Sequence, residues 1–352
     1  MHTFGLTMSR KEINRYYHKL RFRDSILDLF SAPRLALKFQ IIYIGLIGIA
    51  LSYFILLISS FLMMKLFVQH YQIIHFTGII PIALPHRDLP FLANFILFVG
   101  YTVALITLLA TTLGIATRIV EELKGDREFK IIHMRKYIKD NIFTIVFTPI
   151  GFLLLVFLLF GIIGIFASFV KIPYIGNYFM VLVIPLVWII SVIVVFILIA
   201  TIIGILFFPS IATTWDSDVK GIIFQAFSII WSRPWMTITG ILISLWNMVI
   251  SFLCAIYLFS GGFWILKRIF INLNIIDVNS HLPDFSLYIF NSLNIFAQFI
   301  HLSTPERFMV LWYLIFMTIA LAFALGSFTA SQTILFIRLK KMENDIELLK
   351  VL

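Results

Sequence analysis

Side chains able to bind a metal ion or carry acid–base chemistry lie in two places in this chain. The first set comprises His70, His75, His86 and Asp88. Imidazole and carboxylate groups are suitable ligands for Zn²⁺ or Cu²⁺. Their spacing provides no compact pair on one helix face, and histidines in a proline-rich loop need no metal. We therefore predict no metal site and keep these four residues as candidates only.

The second set is the carboxylate pair Asp216 and Asp218. Two close carboxylates can hold Mg²⁺ or a phosphate-bound metal. The stretch Trp215-Asp216-Ser217-Asp218 also suits a helix N-cap, in which the side-chain oxygen accepts a backbone N–H, and we prefer this interpretation. The chain has no Gly-x-Ser-x-Gly, His-Glu-x-x-His or glycine-rich phosphate loop. These patterns predict a protein that is not an enzyme and binds no cofactor.

The amino-acid composition indicates the class of protein in which these residues lie. Of the 352 residues, 61% are hydrophobic and 12% are charged. A soluble domain carries about 25% charged residues, so a water-facing surface could not be built from this chain. A soluble enzyme, a nucleic-acid-binding domain and a disordered protein are excluded, and we predict an integral membrane protein. The single cysteine, Cys254, excludes an intramolecular disulfide.

Uncharged runs of about 20 residues are long enough to cross a bilayer as helices. Six such runs cover 40–63, 91–116, 142–169, 179–208, 236–260 and 309–336. We therefore predict an all-α fold of six transmembrane helices in a single membrane domain, 1–352. Because these runs contain neither acidic nor basic side chains nor histidine, we disfavour a proton pump and an intramembrane metalloprotease, whereas a sodium site of carbonyls and hydroxyls stays open.

The distribution of basic residues predicts the orientation. On this segmentation, 21 of the 27 Lys and Arg residues lie on the side of the membrane that holds both termini. By the positive-inside rule both termini are cytoplasmic, including the tail 338–352. Small residues spaced four apart, Ala322, Gly326 and Ala330, predict close helix packing in the last span.

The ends of the even-numbered spans resemble one another. The pairs Ala116-Thr117, Ala212-Thr213 and Ala330-Ser331 are each followed by a basic residue eight positions after the alanine: Lys124, Lys220 and Arg338. We interpret the chain as three parallel repeats, each a cytoplasmic amphipathic helix followed by a helix hairpin. Chance similarity in an apolar sequence is the alternative.

Two segments outside the spans are predicted to lie at the membrane surfaces. The first, 9–31, is an amphipathic helix whose basic face, including Arg21 and Arg23, would lie on anionic headgroups, with partner binding as the alternative. The second, 261–306, is predicted as an outer interfacial segment with breaks at Gly261-Gly262 and Pro283. It would be a lid over the helix ends or the wall of a lipid-accessible groove.

Further docking candidates are aromatic, basic and proline residues at predicted corners of the chain. They are Arg34, Trp215, Trp231, Arg233, Pro234 and Trp235, together with the carboxylates Asp216 and Asp218. We expect Pro234 to end a surface helix, the tryptophans to lie at headgroup depth and Arg233 to contact lipid phosphate. The same corner could dock a soluble protein.

Two stretches, 213–218 and 227–235, are the most distinctive in the chain, and the latter ends in Ser232-Arg233-Pro234-Trp235. With 31–34 and Thr148-Pro149, these stretches resemble uncharacterised polytopic bacterial membrane proteins, which are similar to the membrane domain attached to some glycerophosphodiester phosphodiesterases. The likeness is loose but covers most of the chain. It implies a six-span protein of the bacterial inner membrane and assigns no role to any residue.

Three functions follow as expectations. The first is a non-enzymatic structural or accessory subunit of a membrane complex, with the bilayer, anionic headgroups and other proteins as partners, and no nucleic acid. The alternative is a carrier or permease component for a lipid or another apolar molecule. An enzyme comes third, and it would need a cytoplasmic site built on Asp216, Asp218 or Arg233.

Overall fold

The computed structural model describes residues 26–66, 76–77, 82–83, 89–123, 131–169, 176–215, 218–272 and 304–351. A 3-10 helix, Ile26–Ser31, leads into the helices α1 (Ala32–Ala36), α2 (Phe39–Leu66), α3 (Phe91–Leu123), α4 (Ile131–Asp140), α5 (Ile142–Phe169), α6 (Gly176–Trp215), α7 (Val219–Ser232), α8 (Pro234–Asn272) and α9 (Thr304–Val351). Between α2 and α3 the strands β1 (Phe76–Thr77) and β2 (Ile82–Ala83) pair antiparallel, Phe76 opposite Ala83.

Six of the described helices are long and apolar enough to cross a bilayer: α2, α3, α5, α6, α8 and α9. Each contains one predicted span. The described residues are thus helical apart from short connections and the β1–β2 pair, and the prediction of six helices suited to a multi-pass membrane protein is confirmed. The helices extend beyond the uncharged runs. Helix α3 continues to Leu123 and so includes Arg118, two residues after the predicted end of the span.

One predicted break is wrong. Gly261 and Gly262 lie within α8, which continues to Asn272. A Cβ at either glycine would meet no atom within 4 Å. Glycine costs a helix only about 1 kcal/mol, so an otherwise apolar helix passes through the pair. The rest of the outer segment, 273–303, lies outside the described residues, as do residues 9–25 of the predicted N-terminal helix.

The chain forms two compact units. Unit 1 contains residues 1–31, 116–244 and 329–352, and unit 2 contains residues 32–115 and 245–328. The described parts of unit 1 are therefore the 3-10 helix, α4, α5, α6 and α7 with the adjoining ends of α3, α8 and α9. Unit 2 contains α1, α2 and the remaining parts of α3, α8 and α9.

Glycines hold the helices of unit 2 close together. A Cβ on Gly48 of α2 would overlap the Thr111 side chain of α3, and one on Gly100 would overlap Ser59. A Cβ on Gly45 would lie 3.2 Å from the backbone carbonyl oxygen of Ala322. Ala322 and Gly326 of this unit are buried, as predicted for a close-packing face, and so is Ala330, which belongs to unit 1. Such small residues let helix backbones approach each other where no hydrophobic effect drives them together.

Glycines also allow close helix contacts in unit 1. A Cβ on Gly204 of α6 would overlap the ring of Phe152 from α5, and one on Gly240 of α8 would overlap Leu335 of α9. Phe152 is fully buried. Large side chains therefore fill the space above glycines, which gives close contacts between these helices.

Candidate docking corner and buried polar core

The structure places six of the predicted docking residues: Arg34, Asp218, Trp231, Arg233, Pro234 and Trp235. Trp215 is the last residue of α6, and its side chain is not described. Arg21, Arg23, His70, His75, His86, Asp88 and Asp216 lie outside the described residues. Within the described part of the chain, no three His, Cys, Asp or Glu side chains form a group that could hold a metal ion. Arg34 is exposed on α1, in the other unit from the remaining five.

Helix α7 folds back along α6. Its buried side chains, Ile222, Ala226, Ile229 and Ile230, share one side of the helix, and α7 packs against both α5 and α6. Trp231, near its end, meets Phe196 of α6 edge-on at 5.6 Å between ring centroids. Phe196 lies 19 residues before the end of α6, which is about 28 Å of helix. The segment before the fifth span is thus a packed helix that runs back along its predecessor.

The opposite side of α7 carries exposed aromatic and basic residues. Lys220, Phe224 and Trp231 lie within about 40° of one another around the helix, because each helical residue turns by about 100°. Phe224 is 71% exposed and Trp231 is 77% exposed. Trp235, at the start of α8, is 79% exposed. We call Lys220, Phe224, Trp231 and Trp235 the aromatic face.

The corner between α7 and α8 has defined backbone hydrogen bonds. Arg233 caps α7, with φ −145° and ψ 65°, and its backbone N–H donates to Ile229 O. Pro234 is the first residue of α8, where its missing N–H costs nothing. Thr237 Oγ1 and the Thr237 backbone N–H both donate to the carbonyl of Arg233, at 2.9 and 3.0 Å. The prediction that Pro234 ends the preceding helix is confirmed.

Asp218 is the N-cap of α7. Its Oδ1 accepts the backbone N–H of Gly221 at 2.9 Å, and its φ and ψ are extended. The capping interpretation is therefore confirmed for Asp218.

Loss of this cap should weaken the start of α7. We expect Asp218→Ala to lower the free energy of unfolding by about 1 kcal/mol, because the N–H of Gly221 loses its acceptor. Thermal unfolding in detergent measures the change. Asp218→Asn is the matched control, since its amide oxygen can still cap, and it should stay within a few tenths of a kcal/mol of the parent. Equal losses in both variants would assign the effect to the carboxylate charge.

A second, shorter helix lies at the end of α6. The Tyr137 hydroxyl of α4 donates to the Ala212 carbonyl of α6 at 2.7 Å. This bond satisfies a carbonyl near the C-terminal end of α6 and attaches α4 there. Arg135, Lys136 and Lys139 of α4 are exposed. Unit 1 therefore presents a basic helix as well as the aromatic face.

The interior of unit 1 contains polar groups that the sequence does not identify as a candidate site. Arg118 Nη2 and Glu122 Oε2 of α3 form an ion pair at 2.9 Å, with 6% and 19% of their side chains exposed. Ser210 of α6 and Thr333 of α9 share a hydrogen bond at 3.2 Å. The repeated dipeptides were the available indication, because all six of their residues, Ala116, Thr117, Ala212, Thr213, Ala330 and Ser331, are buried.

The fold and these two sites define a multi-pass membrane protein with an aromatic and basic surface and a polar interior in unit 1. No family model, no curated protein and no solved structure matches the chain.

Proposed function

We propose that the protein is a non-enzymatic subunit of a membrane complex and that the aromatic face docks a protein partner. One observation carries the proposal: Phe224, Trp231 and Trp235 are exposed although the other side of α7 is tightly packed. Tryptophan is enriched at binding hot spots, and tryptophan and phenylalanine are enriched at interfaces, where they supply large contact areas. The basic side chains of α4 would favour an acidic partner surface.

Site-specific photo-crosslinking tests this proposal. A photoreactive amino acid in place of Phe224 should form one discrete protein adduct in the native membrane. The adduct should disappear when Trp231 is changed to Ala in the same chain, with the melting temperature of each variant confirming that it is folded. Trp188, 68% exposed on α6, is the matched control position and should yield lipid adducts. Lipid adducts alone at both positions would contradict docking of a protein.

The proposed orientation places both termini in the cytoplasm of a bacterium, with the protein in the inner membrane. The basic residues of α4 support it, as does the even number of long apolar helices among the described residues. Short helices precede three of the long ones: the 3-10 helix and α1 before α2, α4 before α5, and α7 before α8. This order supports the proposal of three repeats, each a short helix followed by a hairpin.

Tryptophans along α8 provide a test of membrane placement. Trp235 and Trp264 are 29 positions apart in one helix, about 43 Å, which matches a bilayer with its headgroup regions. Arg268 lies over the Trp264 ring at 5.5 Å, as expected for an interfacial anchor. In single-tryptophan variants, lipids brominated deep in the acyl chain should quench Trp246 several-fold more than Trp235 or Trp264. Equal quenching of all three would refute a transmembrane α8.

The alternative proposal is a carrier component for a lipid. It is supported by the uncharged, exposed side chains of α5 and α6, among them Phe157 and Ile189. Purified protein in liposomes should then accelerate transfer of a fluorescent lipid between leaflets. Transfer at the rate of protein-free liposomes would remove this alternative and leave the docking proposal standing.

A further inference from the structure

Helix α9 is enclosed on all sides over one stretch in unit 1. Every residue from Thr329 to Phe336 is buried. Four of these residues are polar: Thr329, Ser331, Gln332 and Thr333. At about 100° per residue they point in different directions around the helix, so polar groups enter the packing on several sides. Buried serine and threonine are common where membrane helices pack, because their hydroxyls can bond to a helix carbonyl or to a neighbouring helix, whereas a glutamine amide needs several partners.

Hydrogen bonds account for part of this polarity. Thr333 Oγ1 donates to Thr329 O at 2.8 Å and also pairs with Ser210. Gln332 differs. Its side chain is 1% exposed, and neither its Oε1 nor its Nε2 has a hydrogen-bond partner among the described residues. A primary amide offers two donors and two lone pairs, and leaving a buried polar group unsatisfied is costly.

Threonine hydroxyls do not carry the same inference. Thr148 Oγ1 and Thr201 Oγ1 of unit 1 are also buried and have no hydrogen-bond partner in the part of the chain that the structure describes. A threonine hydroxyl in a helix can rotate to donate to the carbonyl four residues earlier, as Thr213 does at 2.9 Å. One carbonyl cannot satisfy a glutamine amide, because both its donors and its acceptor need partners.

The hydrogen-bonding groups of the Gln332 amide define which kind of guest molecule could bind there. A guest must donate to Oε1 and accept from Nε2, and it must be small, since the residues around it are buried. It must also be neutral. An amide supplies no counter-charge for an ion, and the enclosed stretch 329–336 contains no charged residue. Water has these properties, and buried water in proteins makes about three hydrogen bonds to such groups.

We propose that the amide of Gln332, on the enclosed stretch of α9, is a binding site for a small neutral molecule that both donates and accepts hydrogen bonds, namely water. The apolar bundle would then contain a hydrated point in unit 1. This proposal is independent of partner docking, since it concerns the interior of the unit and not the aromatic face.

Cysteine accessibility tests the site. In a Cys254→Ala background, which removes the chain's single cysteine, Gln332→Cys and Ile334→Cys are compared with a small water-soluble thiol reagent. Ile334, 5% exposed on the same helix, is the matched apolar control. Thiols react as thiolates, which water stabilises and an apolar core does not. We expect labelling at position 332 to be at least tenfold faster than at 334, and equal rates would overturn the proposal.

A second variant addresses folding of the cysteine chains. Gln332→Met keeps the volume and removes the amide. If the site is dry, this change removes an unsatisfied group and should raise the melting temperature. If water occupies the site, the amide is already hydrogen-bonded, and its removal leaves the water without that partner. The melting temperature should then be unchanged or lower. A clear rise would overturn the proposal even if both cysteine variants failed to fold.

Discussion

Gly48→Leu is expected to lower the free energy of unfolding by about 3 kcal/mol, the upper end of the range for overpacked sites. A Cβ alone at this position would overlap the Thr111 side chain. Thr111 is restrained, because its Oγ1 donates to Thr107 O at 2.7 Å, and it is buried. The added side chain must therefore push α2 and α3 apart, and the contacts along the helix pair weaken with it. Unfolding in a titration of denaturing detergent measures the loss.

A reciprocal exchange separates overpacking from the general effect of substituting glycine. Gly48→Ala combined with Thr111→Gly moves bulk from one helix to the other, and it should recover part of the stability that Gly48→Ala loses. Gly164→Ala is the control, since a Cβ on Gly164 in α5 meets nothing within 4 Å. Alanine should be neutral or stabilising there, by up to about 1 kcal/mol. A loss at Gly164 equal to that at Gly48 would contradict the packing explanation.

Glu122→Gln is expected to destabilise unit 1 by about 2 kcal/mol. Its carboxylate pairs with Arg118 at 2.9 Å, and Arg118 is 5% exposed. Breaking a fully buried pair costs about 3 to 5 kcal/mol, because a charge is left in a poorly solvated place. Glu122 is 19% exposed at its side chain, so water reaches the pair and the effect should be smaller. Thermal unfolding of the purified protein measures it.

The charge-swapped double variant, Arg118→Glu with Glu122→Arg, is the control. It keeps one charge of each sign at an i, i+4 spacing, so it should be more stable than either single reversal. Stability should be recovered only in part, because the two charges are exchanged along the helix while the groups around each position stay the same. If the stability lost in the double variant equals the sum of the losses in the two single reversals, the two residues have no coupling energy and the ion-pair explanation is wrong.

Much of the fold follows from local properties of the sequence. A bilayer excludes charge, so uncharged stretches about 20 residues long had to be helices, and all six are found within helices. Asp218 could be identified as a cap because capping depends on a few neighbouring residues. The break predicted at Gly261-Gly262 failed because glycine weakens a helix but does not end it when the flanking residues continue the pattern.

The candidate site was only partly predictable. Trp231, Arg233, Pro234 and Trp235 were singled out because their residue types suit an interface, and the structure places them at one corner. The direction of α7 was not predictable, since it depends on how its buried side, which includes Ile222 and Ile229, packs against α5 and α6. Gln332 was missed because it lies within the predicted span 309–336, where a polar side chain is ordinarily expected to hydrogen-bond to a neighbouring helix.

The sequence alone determined that this is a helical membrane protein, where its long helices lie, and that its apolar runs carry no charge. Each of these properties is set by the free energy of transferring a short segment from water to lipid, which depends only on the residues of that segment. Only the tertiary structure decided which glycines lie against another helix, as Gly48 and Gly204 do. It also decided which have no atom near the position of a Cβ, as is the case for Gly161 and Gly164. It also decided that Ser210 meets Thr333, 123 residues later in the chain. Such pairings depend on which helix faces meet, and no local pattern records that.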